Sequence, residues 1–383
     1  MMHLNASEKR VICSNPDSVF RYFGWPSVTR LADGALAMVA SGFRLKHICP
    51  FGKGIVCYSR DEGKTWTAPA VVMDTPLDDR DCGLVNFGNG RAILTSFNNT
   101  IAAQRRWNAT QNGDHKWSSD VRRDFSEAYL RVIEEMNVEE RYIGSTYRIS
   151  EDGGYTFGAV RRSPVTAPHG PCTLADGSLF YVGRRFSQDD SFDNGSEAYI
   201  QCWRMNEKDE LEYVSSIENI YSDGELLYSC EPHSIQLPDG KIIVHIRVQK
   251  YSGEKSYFTV FQSESKDGGK TFSKPRQLLR DLGGSPAHLM LHSSGVLIST
   301  YGYREAPYGE RVMLSYDGGE NWETDYILDD TARGGDLGYP ATVELRDGSL
   351  LTVYYENVGD AAVIMQQTWT LPHREDGEGK RND

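Results

Sequence analysis

Leu31-Ala32-Asp33-Gly34, Phe87-Gly88-Asn89-Gly90, Leu174-Ala175-Asp176-Gly177, Leu237-Pro238-Asp239-Gly240, His292-Ser293-Ser294-Gly295 and Leu345-Arg346-Asp347-Gly348 decide the fold. Each phrase lies between two short apolar runs. Each ends in glycine, which supplies the positive φ of a tight hairpin. From Gly34 through Gly90, Gly177, Gly240 and Gly295 to Gly348 the spacings are 56, 87, 63, 55 and 53 residues. A hairpin recurring at that period is the signature of a β-propeller, with one hairpin unit per blade. The expected fold is therefore all-β, a six-bladed propeller. Such a ring sets the first strand of every blade around one axis, so residues far apart in sequence meet at one mouth.

A second repeat runs in phase with the first. Its copies are Ser59-Arg60-Asp61-Glu62-Gly63-Lys64-Thr65-Trp66, Ser150-Glu151-Asp152-Gly153-Gly154-Tyr155-Thr156-Phe157, Ser265-Lys266-Asp267-Gly268-Gly269-Lys270-Thr271-Phe272 and Ser315-Tyr316-Asp317-Gly318-Gly319-Glu320-Asn321-Trp322. The aspartate folds back on local N–H groups, the glycine makes the bend, and the aromatic packs between blades. This is the Asp-box turn, and with it the chain resembles the sialidase superfamily, as a divergent member, over almost all its length. The boxes lie on the face away from the site, so their aspartates are read as structural.

The chain has 383 residues and a formal charge of −13. The repeat uses nearly all of it as a single domain over 1–383. The acidic balance disfavours nucleic acid and anionic membranes. No run of 18 apolar residues is present, so no membrane span is expected. The polar start and seven scattered cysteines without CxxC spacing read as a cytoplasmic protein with reduced thiols.

The 87-residue spacing holds an insertion in blade two, at about 98–140. Val121, Phe125, Tyr129, Leu130, Ile133 and Met136 within it have helical spacing. The resemblance implies that the link between strands two and three emerges on the mouth face, opposite the Asp boxes. The insertion therefore reads as a lid, as a contact between copies of the chain, or as a surface helix with no further role. Blade six shows only three strands of its own, and the N-terminal segment near Lys9 to Cys13 is expected to supply its fourth. A charged tail at about 374–383 follows.

First strands begin at the mouth and second strands end there. Those positions collect Trp25, Asp81, His169, Glu231, His233, His288 and Tyr339 with Arg44, His47, Arg247, Tyr303 and Arg304. An arginine-rich mouth on an acidic chain points to an anionic carbohydrate held by guanidinium forks. The resemblance assigns three residues by matching segments. Cys230-Glu231-Pro232-His233 looks like the segment that carries the catalytic glutamate. Arg247, 16 residues later, matches a carboxylate-binding arginine. Asp336-Leu337-Gly338-Tyr339-Pro340 looks like the segment of the nucleophilic tyrosine. A phenol is weakly nucleophilic near its free pKa of about 10, so a carboxylate must take its proton.

Two positions depart from the family. Glycine stands at Phe23-Gly24-Trp25-Pro26 where an arginine would open blade one, and the general-acid aspartate is missing around Gly42-Phe43-Arg44-Leu45-Lys46-His47. His47 and Asp81 are the candidate acids. Arg44, Arg247, Arg304, His169, His233, His288, Trp25 and Tyr303 are the candidate substrate contacts. Asp78, Asp79 and Asp81 otherwise read as a solvated acidic run. The expected activity is a retaining exo-glycosidase acting on a terminal acidic sugar, without cofactor or metal. The alternatives are a propeller lyase on uronate-containing sugars, using histidine, tyrosine and arginine with or without a metal, and a non-catalytic glycan-binding propeller. Typical sialidase activity is expected to be weak or absent, because the blade-one arginine is replaced by Gly24.

Overall fold

The computed structural model describes residues 1–109, 118–185, 197–252, 255–279 and 283–373. The expected tail over 374–383 and part of the insertion, 110–117, lie outside the described residues. The architecture is an all-β propeller. All six hairpin glycines adopt left-handed φ, from 79° at Gly90 and Gly177 to 88° at Gly295.

Among the described residues four sheets stand apart as blades, beside a two-stranded ribbon of Tyr221–Ser222 and Glu225–Leu226. One contains Arg80–Phe87, Arg91–Phe97, Ser145–Ser150 and Arg161–Ser163. The next contains Leu179–Arg185, Ile200–Met205 and Leu211–Ile217, with the short inner pieces Val165–Thr166 and Cys172–Thr173. The third contains Tyr228–Gln236, Ile242–Ser252, Lys255–Ser265 and Arg276–Gln277. The fourth contains Gly284–Leu291, Leu297–Tyr303, Gly309–Ser315 and Glu323–Asp329, with Met2–His3 added in parallel at its edge.

The remaining strands correct the expectation of six separate blades. Tyr22–Arg30, Leu36–Arg44, Lys53–Ser59 and Ala70–Met73 share one eight-stranded sheet with Gly338–Glu344, Leu350–Val358, Ala361–Trp369 and Arg10–Cys13. The reason is ring closure. Arg10–Cys13 pairs antiparallel with Ala361–Trp369. The chain then re-enters beside the same strand, where Tyr22 pairs with Ala362 in the single parallel contact that joins the halves.

The Asp boxes close as local chemistry requires. Asp267 accepts from the Thr271 N–H at 3.0 Å and the Thr271 hydroxyl at 2.6 Å, and Ser265 Oγ accepts from the Gly269 N–H at 2.9 Å. The box aromatics tie neighbouring units together. Trp66 Nε1 donates to Gln366 at 2.8 Å, and Trp322 Nε1 donates to Gln262 at 2.7 Å.

Between Arg91–Phe97 and Ser145–Ser150 the described residues include the helices α1 (Ile101–Ala109), α2 (Asp120–Glu135) and α3 (Val138–Tyr142). Ser119 caps α2 by accepting from the Arg122 N–H. Leu130 and Ile133 pack with Leu77, Ile101, Val138 and Ile143. The other apolar residues behave differently. Val121, Phe125, Val132 and Met136 form an exposed stripe on α2. The insertion is fastened to the mouth face by Tyr129, whose hydroxyl donates to the Pro76 carbonyl at 2.8 Å, and by Gln104, whose amide donates to Asp78 at 2.9 Å.

Candidate active site

One backbone device places the mouth residues. Trp25, Asp81, Glu231 and Tyr339 all have positive φ, between 46° and 56°, and Gly170 has 78°. Each sits at the top of an inner strand. The pairing register slips beside the four non-glycine residues, between Gly24 and Ser27, Arg80 and Gly83, Cys230 and His233, and Gly338 and Ala341. Such bulges re-aim a side chain, and here the residues come together at the axis. Left-handed non-glycine residues cost on the order of 1–3 kcal/mol each and cluster at functional sites.

Glu231, Arg247 and Tyr339 meet. The Tyr339 hydroxyl donates to Glu231 Oε1 at 2.7 Å. Arg247 Nη1 donates to Glu231 Oε2 at 2.5 Å and to the Tyr339 hydroxyl oxygen at 3.2 Å. Burial, with the Glu231 charge beside it, pushes the Tyr339 phenol well above its ordinary value, against Arg247 and Arg304. The phenol is therefore neutral at rest, and its proton already points at a carboxylate. Burial works against the charge of Arg247, but Glu231 outweighs it and the guanidinium stays protonated.

Asp81 is buried, and its Oδ1 has no hydrogen-bond partner among the described residues. Burial pushes its carboxyl up to about 7, with Glu231 and Asp78 adding to the effect against Arg80 and Arg44. A carboxyl that is half protonated at neutral pH suits a general acid. The expectation of a solvated acidic run is corrected here. Asp78 and Asp79 are 0% exposed and Asp81 is 3% exposed.

His47 sits beside this group on a carboxylate hub, Asp336. Asp336 accepts from His47 Nδ1 at 2.9 Å, from the Tyr355 hydroxyl at 2.8 Å and from the Tyr22 hydroxyl at 2.9 Å. Burial alone would raise Asp336, yet His47 and the two phenols hold it below the usual carboxylate range. Burial lowers His47 and outweighs Asp336. A neutral imidazole has no spare proton to give, so Asp81 is the better acid of the two.

Trp25 is 1% exposed and forms a wall. The Arg80 guanidinium lies 4.1 Å from its ring centroid, and the His47 ring meets it edge-on at 5.0 Å. A side chain at Gly24 would press on the Tyr22 ring. A Cβ there would lie 3.3 Å from the Tyr22 ring and 3.5 Å from Tyr355.

The arginines divide. Arg247 and Arg304 both lie against Phe258, at 4.7 and 5.5 Å from its centroid, and Arg304 is 5.6 Å from the Tyr339 ring. Arg304 is partly exposed, and its Nη2 donates to the Leu337 carbonyl at 3.0 Å. Arg184, against Tyr228 at 4.3 Å, lies on the next inner unit. Tyr303 lies on the rim with Arg311 over its ring, and Arg311 is spent on backbone carbonyls of Pro307, Glu310 and Asp329.

Arg44 is a correction. It is fully buried, with Nη1 2.5 Å from Asp78 Oδ1, and it donates from Nη2 to Asp78 Oδ2 at 2.9 Å. That carboxylate consumes its fork, so it cannot swing toward a ligand. Arg44→Ala should leave Asp78 buried and uncompensated and cost about 3–5 kcal/mol of stability. Urea unfolding tests this. Unchanged stability with a raised KM would return Arg44 to the list of substrate contacts.

His169, His233 and His288 are also corrected. They are 2%, 7% and 8% exposed and pack on one another with ring centroids 4.5–5.4 Å apart. Burial depresses all three, His233 to about 3. His233 Nδ1 accepts from the Leu289 N–H at 2.9 Å, and His288 Nδ1 accepts from the Thr342 N–H at 3.3 Å. The neutral rings therefore carry their protons on Nε2. A metal at Nε2 would move each proton onto Nδ1, against a backbone N–H. Among the described residues no group of three or more His, Cys, Asp or Glu has the geometry of a metal site.

No curated protein matches this chain. A protein of unknown function from Dyadobacter fermentans superimposes with a TM-score of 0.72 at 18% identity, over 96% of this chain and 99% of that one. The NanB sialidase of Streptococcus pneumoniae gives 0.65 at 13%, over 95% and 71%. The intramolecular trans-sialidase of Ruminococcus gnavus gives 0.60 at 14%, over 94% and 95%. These likenesses establish a shared fold. The family described as BNR repeat-like domain matches residues 106–352, more than half of the sequence. The chain belongs to the BNR repeat-like family.

Proposed function

We propose that the mouth is the active site of a retaining exo-glycosidase that removes a terminal acidic sugar from a glycan. In this reading the eight-stranded sheet acts as two blades, so that six inner strands surround one axis. The observation that carries the proposal is the 2.7 Å hydrogen bond from Tyr339 to Glu231, with Arg247 bridging both. Glu231 takes the phenolic proton as Tyr339 Oη attacks the anomeric carbon. Asp81 gives its proton to the departing glycosidic oxygen. Water then cleaves the glycosyl–tyrosine bond, with the Asp81 carboxylate as base, and Glu231 returns its proton to Tyr339. A neutral nucleophile avoids repulsion by a substrate carboxylate, which Arg247 and Arg304 would hold. Three of the four mouth histidines named for a lyase lie buried and neutral, which favours the glycosidase.

A screen of aryl glycosides of sialic acid, related keto-sugars and uronic acids tests this. Turnover of at least one acidic glycoside is expected. With the blade-one arginine absent, one charge-assisted contact worth about 1.5–3 kcal/mol is lost. Sialic acid should therefore bind roughly ten- to a hundredfold less tightly than in an ordinary sialidase. Sialidase-like rates on sialic acid would sink the specificity claim. A product absorbing in the unsaturated-uronate band would mark a lyase. Glycan binding without product would leave a binding module.

A further inference from the structure

A second concave site lies on the mouth face, outside the catalytic group. Its walls come from the link between Leu36–Arg44 and Lys53–Ser59, from the chain just after Ala70–Met73, and from α2. The same link carries His47 inward to the mouth. Its ends, Phe43 and Phe51, face the other way into a cavity of about 320 Å³. That is the lower end of the range for ligand pockets, about 300–1,000 Å³, and suits one small ring.

We infer that this cavity binds a neutral hexopyranose unit. Phe20, Phe43, Phe51 and Tyr129 line it with Lys53 and Asp74. Phe20 and Phe51 meet edge-on at 5.8 Å, and Phe51 and Tyr129 are tilted at 4.9 Å. A pyranose offers an apolar C–H face to such rings and a girdle of hydroxyls around its edge. Lys53 and Asp74 supply a donor and an acceptor for that girdle. They pair with each other yet keep 35% and 55% of their side-chain surface exposed. Their charges cancel, so the cavity selects neither an anion nor a cation. This separates it from the arginine-bearing mouth.

The wall is set before a ligand arrives. Phe125 stacks on the Phe51 ring at 4.8 Å and 8°, and Tyr129 is held by its bond to Pro76. A preformed aromatic wall keeps the entropy cost of binding low. Joined to the glycosidase reading, on which this link alone rests, the cavity would receive an inner sugar of the chain whose terminal residue enters the mouth.

The test uses the full chain and ligand-observed saturation-transfer NMR. The probes are methyl β-D-galactopyranoside and methyl β-D-glucopyranoside. Saturation transfer to the C–H face of at least one is expected. It should persist in Tyr339→Phe, so that loss of the catalytic reading and loss of this one are told apart. Phe51→Ala should abolish it, and Asp74→Asn, a change at an exposed side chain that leaves the wall intact, should weaken binding roughly tenfold. No transfer from either probe would overturn the inference. So would transfer that survives both substitutions. A dimer in light scattering that Phe51→Ala converts to monomer would show that a second copy, seated by the apolar stripe of α2, occupies the cavity instead.

Discussion

Tyr339→Phe is expected to lower kcat by roughly a thousandfold or more on the acidic aryl glycoside that the wild type turns over best. The substitution removes one oxygen and keeps the ring. Its packing against Trp25 at 6.4 Å and Tyr355 at 6.1 Å survives, and Glu231 keeps Arg247. The hydroxyl's two hydrogen bonds, to Glu231 and from Arg247, are lost at a cost on the order of 2–4 kcal/mol of stability, within the roughly 5–15 kcal/mol of a typical folded protein, so the variant should fold. Glu231→Gln should be similarly impaired, because glutamine cannot take the phenolic proton. The two groups act as one unit. The double variant should therefore be little worse than either single one, rather than the product of both losses. Steady-state kinetics with melting curves as a folding control decide the matter. Wild-type turnover in Tyr339→Phe would remove the tyrosine as nucleophile.

Asp81→Asn carries the second large effect, and its signature is a pH profile. Asp81 titrates near 7 and must be protonated to act, so activity should fall as pH rises through about 7. Asparagine removes that limb. For poor leaving groups kcat should drop by about 10²–10⁴. For an aryl leaving group that departs without a proton the loss should be much smaller. The same residue has the opposite effect on stability. Its folded pKa lies above its unfolded value near 3.8, so the folded state favours the protonated carboxyl. The stabilisation is complete below 3.8 and is lost as pH rises through 7. Above pH 7 the wild type carries the cost of a buried charge, up to about 4 kcal/mol, and Asp81→Asn should be more resistant to urea there. An alkaline limb that persists in Asp81→Asn would transfer the acid role elsewhere, with His47 next in line.

The fold was legible where a requirement of the backbone is written in neighbouring residues. Each hairpin glycine and each Asp-box aspartate answers a local need, so counting them counts the units. Glu231, Arg247 and Tyr339 were legible for a related reason. Glu231 and Arg247 stand on paired strands of one hairpin, and Cys230, beside the glutamate, lies opposite Arg247 in the register. What escaped depends on partners that only the closed ring supplies. Arg44 looked available until Asp78, from the loop leading into the next sheet, took both arms of its guanidinium. The three histidines come from separate units of the ring, and only its closure packs them on one another. The joining of two blades into one sheet turns on a single contact, Tyr22 with Ala362, which no pattern in the chain announces. One signal was present and unread. Trp25, Gly170, Glu231, Ser285 and Tyr339 each precede a proline at the top of an inner strand.

That recurring turn separates chemistry from folding. The backbone at the tryptophan, glutamate and tyrosine stations is set by the bulge beside it. A tryptophan, a carboxylic acid, a glycine and a phenol already occupy equivalent stations in this one molecule. A ring built this way can change its substrate by exchanging single residues at the stations, while the hairpins and boxes that assemble it stay the same. The tryptophan that fills the first station beside Gly24 is then one setting among several that a single scaffold admits, and relatives with other residues there are expected to differ in the sugar they take rather than in how they fold.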